Sequence, residues 1–154
     1  MKHLKVGDKA PNFEGIDQNG NTIKSSDYIG KNLVIYFYPK DMTPGCTDQA
    51  CNLRDNYNLM LENGLNIIGV SMDSVERHQK FADKYELPFP LLADTERKII
   101  EAFGVWGYKK FMGKEYDGIH RTTFIVNSKG VIDTIIDKPK TKIHAEEILD
   151  QIKK

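Results

Sequence analysis

The chain has 154 residues, of which 40% are hydrophobic and 29% are charged, and its 22 basic residues balance 22 acidic ones. This length suits a single domain, residues 1–154, that is large enough to bury a core. Zero net charge gives no electrostatic case for binding nucleic acid or an anionic membrane, and no apolar run approaches the roughly eighteen residues that span a bilayer.

The first third of the chain predicts a small hairpin followed by a buried strand. Asn19-Gly20 separates two short apolar patches and is typical of hairpin turns, so we expect a β-hairpin beside the main sheet. Leu33 to Tyr38 are six apolar or aromatic residues in a row, which predicts a strand buried on both faces. Pro39 ends this strand because proline has no N–H to donate to a sheet.

Thr43 and Pro44 predict the start of a helix that runs to Asn63-Gly64, since Thr is a good N-cap and Pro suits the first helical position. Cys46 then lies in the first turn, at the carboxyl end of the buried strand. The positive end of the helix dipole and its free N–H groups favour a reactive thiolate there. The alternative is that Cys46 packs as a small apolar residue, as free cysteines often do.

The second cysteine, Cys51, lies five positions after Cys46. In an unbroken helix, residues five apart have Cα atoms roughly 8–9 Å apart and side chains that diverge by about 140°. A disulfide requires Cα atoms within about 7 Å, so the two sulfurs can join only if the first helical turns unwind. This spacing favours a redox switch over a structural disulfide.

The rest of the chain predicts alternating strands and helices. The expected elements are a buried strand at 65–72, a helix from Ser74 to about Tyr85, an edge element at 88–92, a short helix at 95–103, strands at 121–126 and 131–136 joined by Asn127-Ser128-Lys129-Gly130, and a helix at 142–153 with Ile143, Ile148, Leu149 and Ile152 on one face. The βαβ order requires parallel strands with a right-handed crossover. We therefore predict an α/β protein of thioredoxin-like fold, with a mixed central sheet flanked by helices and an N-terminal β-hairpin extension.

The opening MKHLKVGDKAPNF lacks the apolar segment of a secretory signal, so a cytoplasmic location is expected. In that reducing compartment, two cysteines favour catalysis or metal binding over a static disulfide. The four histidines, His3, His78, His120 and His144, lack the spacing of a zinc finger, so we expect no metal site.

Two stretches of the sequence carry a family resemblance. Pro39-x-x-x-Thr43-x-x-Cys46 resembles the active-site pattern of the peroxiredoxins. The longer runs YFYPKDMTPGCTDQAC, at 36–51, and FGVWGYKKFMGKEYDGIHRTTFIVNSKG, at 103–130, resemble the bacterioferritin comigratory protein or PrxQ subgroup. The likeness extends over nearly the whole chain.

The resemblance implies a role for each matched residue. Cys46 would be the peroxidatic cysteine, which attacks the O–O bond and becomes a sulfenic acid. Thr43 would hydrogen-bond the thiolate and the peroxide, Arg121 would stabilise the transition state, and Pro39 and Gly45 would form the substrate pocket. From the residues alone, Thr43 is equally a helix cap, Pro39 a strand end, and Arg121 one half of a surface ion pair.

The resemblance also implies how the cycle closes. Cys51 would be the resolving cysteine, forming an intramolecular disulfide with Cys46 that thioredoxin or a similar dithiol reductant opens. Peroxide reduction of this kind needs no cofactor, and a monomer is expected. One departure from the wider superfamily is Gln49, where many peroxiredoxins have Glu, which puts a Glu–Arg hydrogen bond in doubt.

Two other functions stay open at this point. A thiol–disulfide oxidoreductase acting on proteins is disfavoured because such proteins usually carry Cys-x-x-Cys, in which the sulfurs can meet without unwinding. A redox-sensing binding module is the non-enzymatic alternative. Trp106, Tyr108 and Tyr116 could line a substrate entrance or a partner surface, but core packing is the interpretation we favour.

Overall fold

The computed structural model describes residues 4–152, except for the side chain of Phe111. The strands in this range are β1 (Glu14–Ile16), β2 (Thr22–Lys24), β3 (Asn32–Phe37), β4 (Leu65–Ser71), β5 (Leu91–Ala93), β6 (Trp106–Phe111), β7 (Lys114–Ile119), β8 (Thr122–Val126) and β9 (Ile132–Asp137). The α-helices are α1 (Pro44–Asp55), α2 (Tyr57–Glu62), α3 (Val75–Tyr85), α4 (Lys98–Ala102) and α5 (His144–Ile152).

The central sheet has five strands in the order β5-β4-β3-β8-β9. β3 pairs in parallel with β4, and β4 with β5, whereas β8 is antiparallel to both β3 and β9. The sheet is therefore mixed, as predicted, with β3 at its centre and the proline-flanked β5 at one edge. Since β3 has a partner on each side, its backbone donors and acceptors are used within the sheet.

Alternate residues of β3 supply two separate cores. Leu33, Ile35 and Phe37 pack with side chains of α4 and the N-terminal segment. Val34 and Tyr36, together with Tyr38 after the strand, pack with α1, α2, α3 and α5. Each of these side chains is at most 3% exposed, and burying one contributes roughly 1.5–3 kcal/mol. Helices thus cover both faces of the sheet, which confirms the predicted α/β layering.

The predicted N-terminal hairpin is present. β1 and β2 pair antiparallel, and the turn between them places Gly20 at φ 80°. The Asp17 carboxylate accepts hydrogen bonds from the backbone N–H groups of Asn19 and Asn21, both at 2.9 Å. A Cβ on Gly15 would lie 3.1 Å from the side chain of Ile99, so the hairpin packs closely on α4.

The helix after Cys46 is divided at Asn56, although the sequence predicts one helix up to Asn63-Gly64. Asn56 has φ −109° and ψ 10°, and its side-chain amide donates to the Asn52 carbonyl at 2.9 Å. The backbone N–H of Asn56 makes a longer bond of 3.3 Å to the same carbonyl. A side-chain donor that competes for a helix carbonyl weakens the backbone bond, which explains the break.

The hairpin of β6 and β7 lies outside the central sheet and is not among the predicted elements. Tyr108 is 59% exposed and Tyr116 is 45% exposed, so the prediction of core packing is wrong for both. Trp106 is half-buried, and the Arg97 guanidinium lies 4.4 Å from its ring centroid. Gly113 is the sequence signal that could have revealed this hairpin, because glycine readily takes the positive φ, here 81°, that such a turn requires.

The last helix begins two residues later than predicted. Thr141–Ile143 form a 3₁₀ turn and α5 starts at His144, so Ile143 is 44% exposed and does not belong to the buried face. His144 and Ala145 are buried instead. The predicted end at Lys153 lies outside the described residues. No helix among residues 4–152 is long and apolar enough to cross a bilayer.

Candidate active site

Cys46 is the third residue of α1 and is only 1% exposed. Thr43 occupies the N-cap with an extended backbone, φ −79° and ψ 152°, and Pro44 is the first helical residue, as predicted. The loop from Tyr38 to Thr43 leads from the carboxyl end of β3 directly into this turn. The sulfur therefore lies where the free N–H groups and the positive end of the helix dipole favour a negative charge.

The sheet register brings Arg121 to Cys46, although 75 positions separate them in sequence. β8 runs antiparallel to β3, and its first residue, Thr122, pairs with Phe37, the last residue of β3. Arg121 immediately precedes β8 and so lies beside the start of α1. Its Nη2 donates to the Cys46 sulfur at 3.3 Å. A permanently charged guanidinium thus touches the candidate nucleophile.

Gln49 holds the other arm of the guanidinium. Arg121 Nη1 donates to Gln49 Oε1 at 2.7 Å, so the amide oxygen makes the bond for which many peroxiredoxins have a Glu carboxylate. Gln49 is fully buried, and its Nε2 has no hydrogen-bond partner among the described residues. With Gln instead of Glu at position 49, the bond to Arg121 is kept, but the amide Nε2 is a buried donor without a partner among the described residues.

Gly45 lies directly against the guanidinium. A Cβ at this position would be 3.3 Å from Arg121 Nη2, which is tighter than an ordinary van der Waals contact. A larger residue would push Arg121 away from the sulfur. The sequence does not reveal this reason for a glycine, because it depends on where β8 places Arg121.

Thr43 and Pro39 lie in or beside the loop that leads into α1, and both are half-buried. The Thr43 hydroxyl donates to the Lys40 carbonyl at 2.8 Å and accepts no capping bond from the helix. In this conformation the hydroxyl hydrogen is directed to the loop and not to the thiolate. The predicted contacts of Thr43 and Pro39 with a peroxide stay predictions.

Cys51 lies in the same helix, is half-buried, and is a free thiol like Cys46. Burial raises the pKa of the Cys51 thiol above its ordinary value, and the nearby Arg54 acts in the opposite direction. α1 runs unbroken from Pro44 to Asp55, so the two side chains diverge and no disulfide can form in this conformation.

A cavity of about 540 Å³ is lined in part by Arg121. Its lining residues are Lys109, His120, Arg121, Asp137, Lys138 and Pro139. Burial, followed by the charge of Arg121, lowers the pKa of Lys109, whose ammonium donates to the Ile119 carbonyl at 2.9 Å. The cavity gives a small polar molecule a route to the guanidinium.

Three of the four histidines have protein partners, while His3 lies outside the described residues. His78 lies 2.6 Å from Asp41, His120 lies 2.9 Å from the Tyr108 carbonyl, and His144 lies 2.8 Å from the Thr123 hydroxyl. Burial lowers the pKa of His144, with Glu147 acting in the opposite direction. Each ring thus belongs to a separate hydrogen-bond network.

Tyr36 and Tyr38 lie in the same core as Cys46, and their hydroxyls differ in hydrogen bonding, which allows a stability test. The Tyr36 hydroxyl is buried with no partner among the described residues, whereas the Tyr38 hydroxyl donates to Asp41 at 2.6 Å. Burial, followed by the charges of Asp41 and Cys46, raises the pKa of Tyr36 well above its ordinary value, so its hydroxyl stays neutral.

We expect Tyr36→Phe to leave the free energy of unfolding unchanged or to raise it by up to about 1 kcal/mol, because an unsatisfied hydroxyl is removed. Tyr38→Phe should lower it by roughly 1.5–3 kcal/mol, because a bond to a buried carboxylate is lost. Urea unfolding of the two variants measures the difference. A larger loss for Tyr36→Phe than for Tyr38→Phe would contradict this account of the two hydroxyls.

The fold and the site define a thioredoxin-fold protein with a cysteine at a helix N-terminus against an arginine. The AhpC/TSA family matches residues 6–135. The chain belongs to this family, within its Bcp or PrxQ peroxiredoxins.

Individual relatives are similar to this chain over nearly its whole length. The chain is 46% identical to peroxiredoxin Bcp of Escherichia coli K12 over 99% of this chain and 98% of that protein. It is 50% identical to peroxiredoxin Bcp of Bacillus subtilis over 97% and 96% of the two chains. The solved structure of Xylella fastidiosa PrxQ superposes with a TM-score of 0.93 at 30% identity, covering 99% of this chain and 98% of that chain. These relatives confirm the predicted family and fold, and they support thiol peroxidase activity.

Proposed function

We propose that Cys46 is the peroxidatic cysteine of a peroxidase that reduces hydrogen peroxide and organic hydroperoxides. The observation that carries the proposal is the contact of 3.3 Å between Arg121 Nη2 and the Cys46 sulfur at the start of α1. The thiolate attacks the outer oxygen of the hydroperoxide and the O–O bond breaks. Cys46 becomes a sulfenic acid, and the departing oxygen takes a proton to leave as water or an alcohol.

The residues around the sulfur stabilise the charge that moves during this step. Negative charge passes from sulfur to the departing oxygen, and the fork of Arg121 can donate to both. Gln49 fixes the guanidinium by a bond of 2.7 Å, and Gly45 allows it to lie against the first turn. Thr43 turns its hydroxyl from the Lys40 carbonyl to the bound peroxide, and Pro39 excludes water from the sulfur.

Cys51 resolves the sulfenic acid. Its thiolate attacks the Cys46 sulfur, the S–S bond forms, and the sulfenic oxygen leaves as water after taking a proton. This step requires α1 to open, because an intact helix holds the sulfurs apart.

The first turn of α1 is suited to opening. The Thr43 side chain accepts no capping bond, no acidic residue stands in the first turn, and Gly45 is a poor helix former. Opening also exposes the buried Gln49 Nε2 to water, which relieves an unsatisfied donor. These features lower the free energy that separates the closed helix from the unwound one.

The proposal extends to the partner and setting of the reaction. Thioredoxin or a similar dithiol protein reduces the Cys46–Cys51 disulfide and releases both thiols. Because the disulfide joins residues of one chain, the cycle needs only a monomer of a single domain. A cytoplasmic location suits this cycle, since a dithiol reductant is available in a reducing compartment.

The variant Cys51→Ser tests the division of roles. We expect it to consume one equivalent of hydrogen peroxide at a rate within about threefold of the wild type, because Arg121 and Cys46 are untouched. Turnover coupled to thioredoxin should stop, since the sulfenic acid has no partner in the chain. Stopped-flow oxidation and a coupled peroxidase assay measure the two steps. Sustained turnover at the wild-type rate would rule out Cys51 as the resolving cysteine.

A further inference from the structure

Asp41, in the loop between β3 and α1, is only 1% exposed and has a partner for each carboxylate oxygen. The Tyr38 hydroxyl donates to Oδ1 at 2.6 Å, and Nδ1 of the fully buried His78 lies 2.6 Å from Oδ2. His78 Nε2 lies 2.9 Å from the Leu92 carbonyl, which can only accept, so Nε2 carries a hydrogen. The contact between Nδ1 and Oδ2 therefore contains a further, shared proton.

The backbone of Asp41 is held as well. Its N–H donates to Asp73 Oδ2 at 2.8 Å, and its carbonyl accepts from Arg77 Nη2 at 3.4 Å. Asp73 is itself fixed by the Ser71 hydroxyl at 2.7 Å and by Arg77 Nε at 3.0 Å. Asp41 is thus tied through both its backbone and its side chain to α3 and to the carboxyl end of β4.

We call Asp41 and its partners Tyr38, Asp73, Arg77 and His78 the Asp41 clamp. Candidate metal-ligand atoms of Asp41, Asp73 and His78 lie within 4.8 Å of one another. Hydrogen-bond donors of the protein already occupy the two carboxylates, and one of these donors is the Arg77 guanidinium. This arrangement fits a polar anchor for the loop better than a cation site.

Met42, the residue that follows Asp41, differs from it in exposure and in backbone conformation. Met42 is 40% exposed and has φ 69°, a left-handed conformation that is unfavourable for a residue other than glycine. Unwinding the adjacent turn would let Met42 leave this conformation. Asp41 is therefore the last loop residue that the clamp holds, and Met42 is the first residue beyond it.

A second fixed point follows Cys51. The Asn52 side chain accepts from the Ala145 N–H at 2.6 Å and donates to Glu146 at 3.2 Å, which ties α1 to α5. Leu53 is fully buried. Residues 42–51, which contain both cysteines, thus lie between two anchors.

We propose that Asp41 is a positioning residue for Cys46, and that its clamp makes Met42 the upstream end of the segment that unwinds. In the closed state the clamp fixes the loop that places Cys46 against Arg121. In the open state it keeps residues up to 41 in place while Cys46 moves to Cys51. The second half of the proposal rests on the proposed function, because it assumes that disulfide.

Rapid-quench mass spectrometry with hydrogen peroxide separates the two chemical steps. In a Cys51→Ser background, which stops at the sulfenic acid, Asp41→Ala should slow oxidation of Cys46 by about tenfold or more, because small misplacements in an active site are costly. In the chain with both cysteines, disulfide formation from the sulfenic acid should not slow. Asp41→Asn should recover oxidation to within about threefold of its parent, since its amide can accept from Tyr38 and donate to neutral His78.

The matched control is Asp94→Asn. Asp94 is also a buried carboxylate that accepts a backbone hydrogen bond, from Ile100 at 2.8 Å, but it lies beside α4. This variant should lose stability and keep both rate constants within about twofold of the wild type. The proposal would be overturned if Cys46 of Asp41→Ala were oxidised at a rate within twofold of its parent. It would also be overturned if Asp41→Ala and Asp94→Asn slowed both Cys46 oxidation and disulfide formation to the same extent.

NMR-detected hydrogen exchange of the wild type supplies a measurement that needs no Asp41 variant. On conversion to the disulfide, amides of 47–51, the first of which bonds the Thr43 carbonyl at 2.9 Å in the closed helix, should lose protection by about a hundredfold or more, whereas the Asp41 amide keeps its protection. Loss of protection at Asp41 would overturn the assigned boundary. If peroxide produces no Cys46–Cys51 bond, the proposed resolution and this boundary fail together, while the effect of Asp41→Ala on Cys46 oxidation still decides the positioning role.

Discussion

Replacing Cys46 by serine is expected to reduce peroxide turnover by at least about three orders of magnitude, to the background of the assay. A serine hydroxyl stays protonated near neutral pH and is a weak nucleophile, even beside Arg121. Cys51 cannot substitute for it, because burial raises the pKa of its thiol and the guanidinium contacts position 46. A thioredoxin-coupled assay with hydrogen peroxide measures the loss.

The control for this variant is structural. Serine has nearly the shape of cysteine, and its oxygen can accept from Arg121 Nη2, so far-ultraviolet circular dichroism and thermal unfolding should stay close to the wild type. A Cys46→Ser protein that still reduces peroxide with thioredoxin at more than a few per cent of the wild-type rate would contradict the role of Cys46.

Arg121→Met is expected to lower the rate constant for oxidation of Cys46 by about 10²–10³-fold. The substitution keeps much of the apolar stem but removes the donor to the Cys46 sulfur and the donor to Gln49. Arg121→Lys should recover only part of this loss, because an ammonium cannot hold Gln49 and the sulfur in one planar fork. Stopped-flow mixing with hydrogen peroxide gives the rate constants.

Arg97→Met is the matched control for Arg121. Arg97 stacks on Trp106 and precedes α4, on the face of the sheet opposite to α1. Its replacement should change the oxidation rate by less than about twofold, since it takes no part in the site. A loss of less than tenfold in Arg121→Met, or an equal loss in Arg97→Met, would show that the guanidinium does not stabilise the transition state.

Features that depend on neighbours in the sequence were predictable. The apolar run before Pro39 predicts the central strand, and Thr43-Pro44 predicts the start of α1, because both signals act within a few residues. Gly130 takes φ 79° in the turn between β8 and β9, which the local Asn-Ser-Lys-Gly sequence also predicts. Each of these elements is confirmed with bounds shifted by one residue or none.

Features that depend on sheet register or on distant partners were not predictable from the residues alone. The contact of Arg121 with Cys46 arises from the pairing of β3 with β8, and only the family resemblance pointed to it. The burial of Asp41 depends on His78, 37 positions away, and a charged residue in a loop ordinarily lies in water. The sequence does not predict the exposed hairpin of β6 and β7, because its aromatic residues suggest core packing instead.

The most direct test is a map of the thiols after addition of one equivalent of hydrogen peroxide. Both cysteines fall in the tryptic peptide 41–54. If α1 opens and the two sulfurs join, the protein stays a monomer, and this peptide loses two hydrogens and resists alkylation. A sulfenic acid on Cys46 beside a free Cys51 thiol, or a disulfide between two chains, would contradict the claim that the helix holds these thiols apart only until it unwinds.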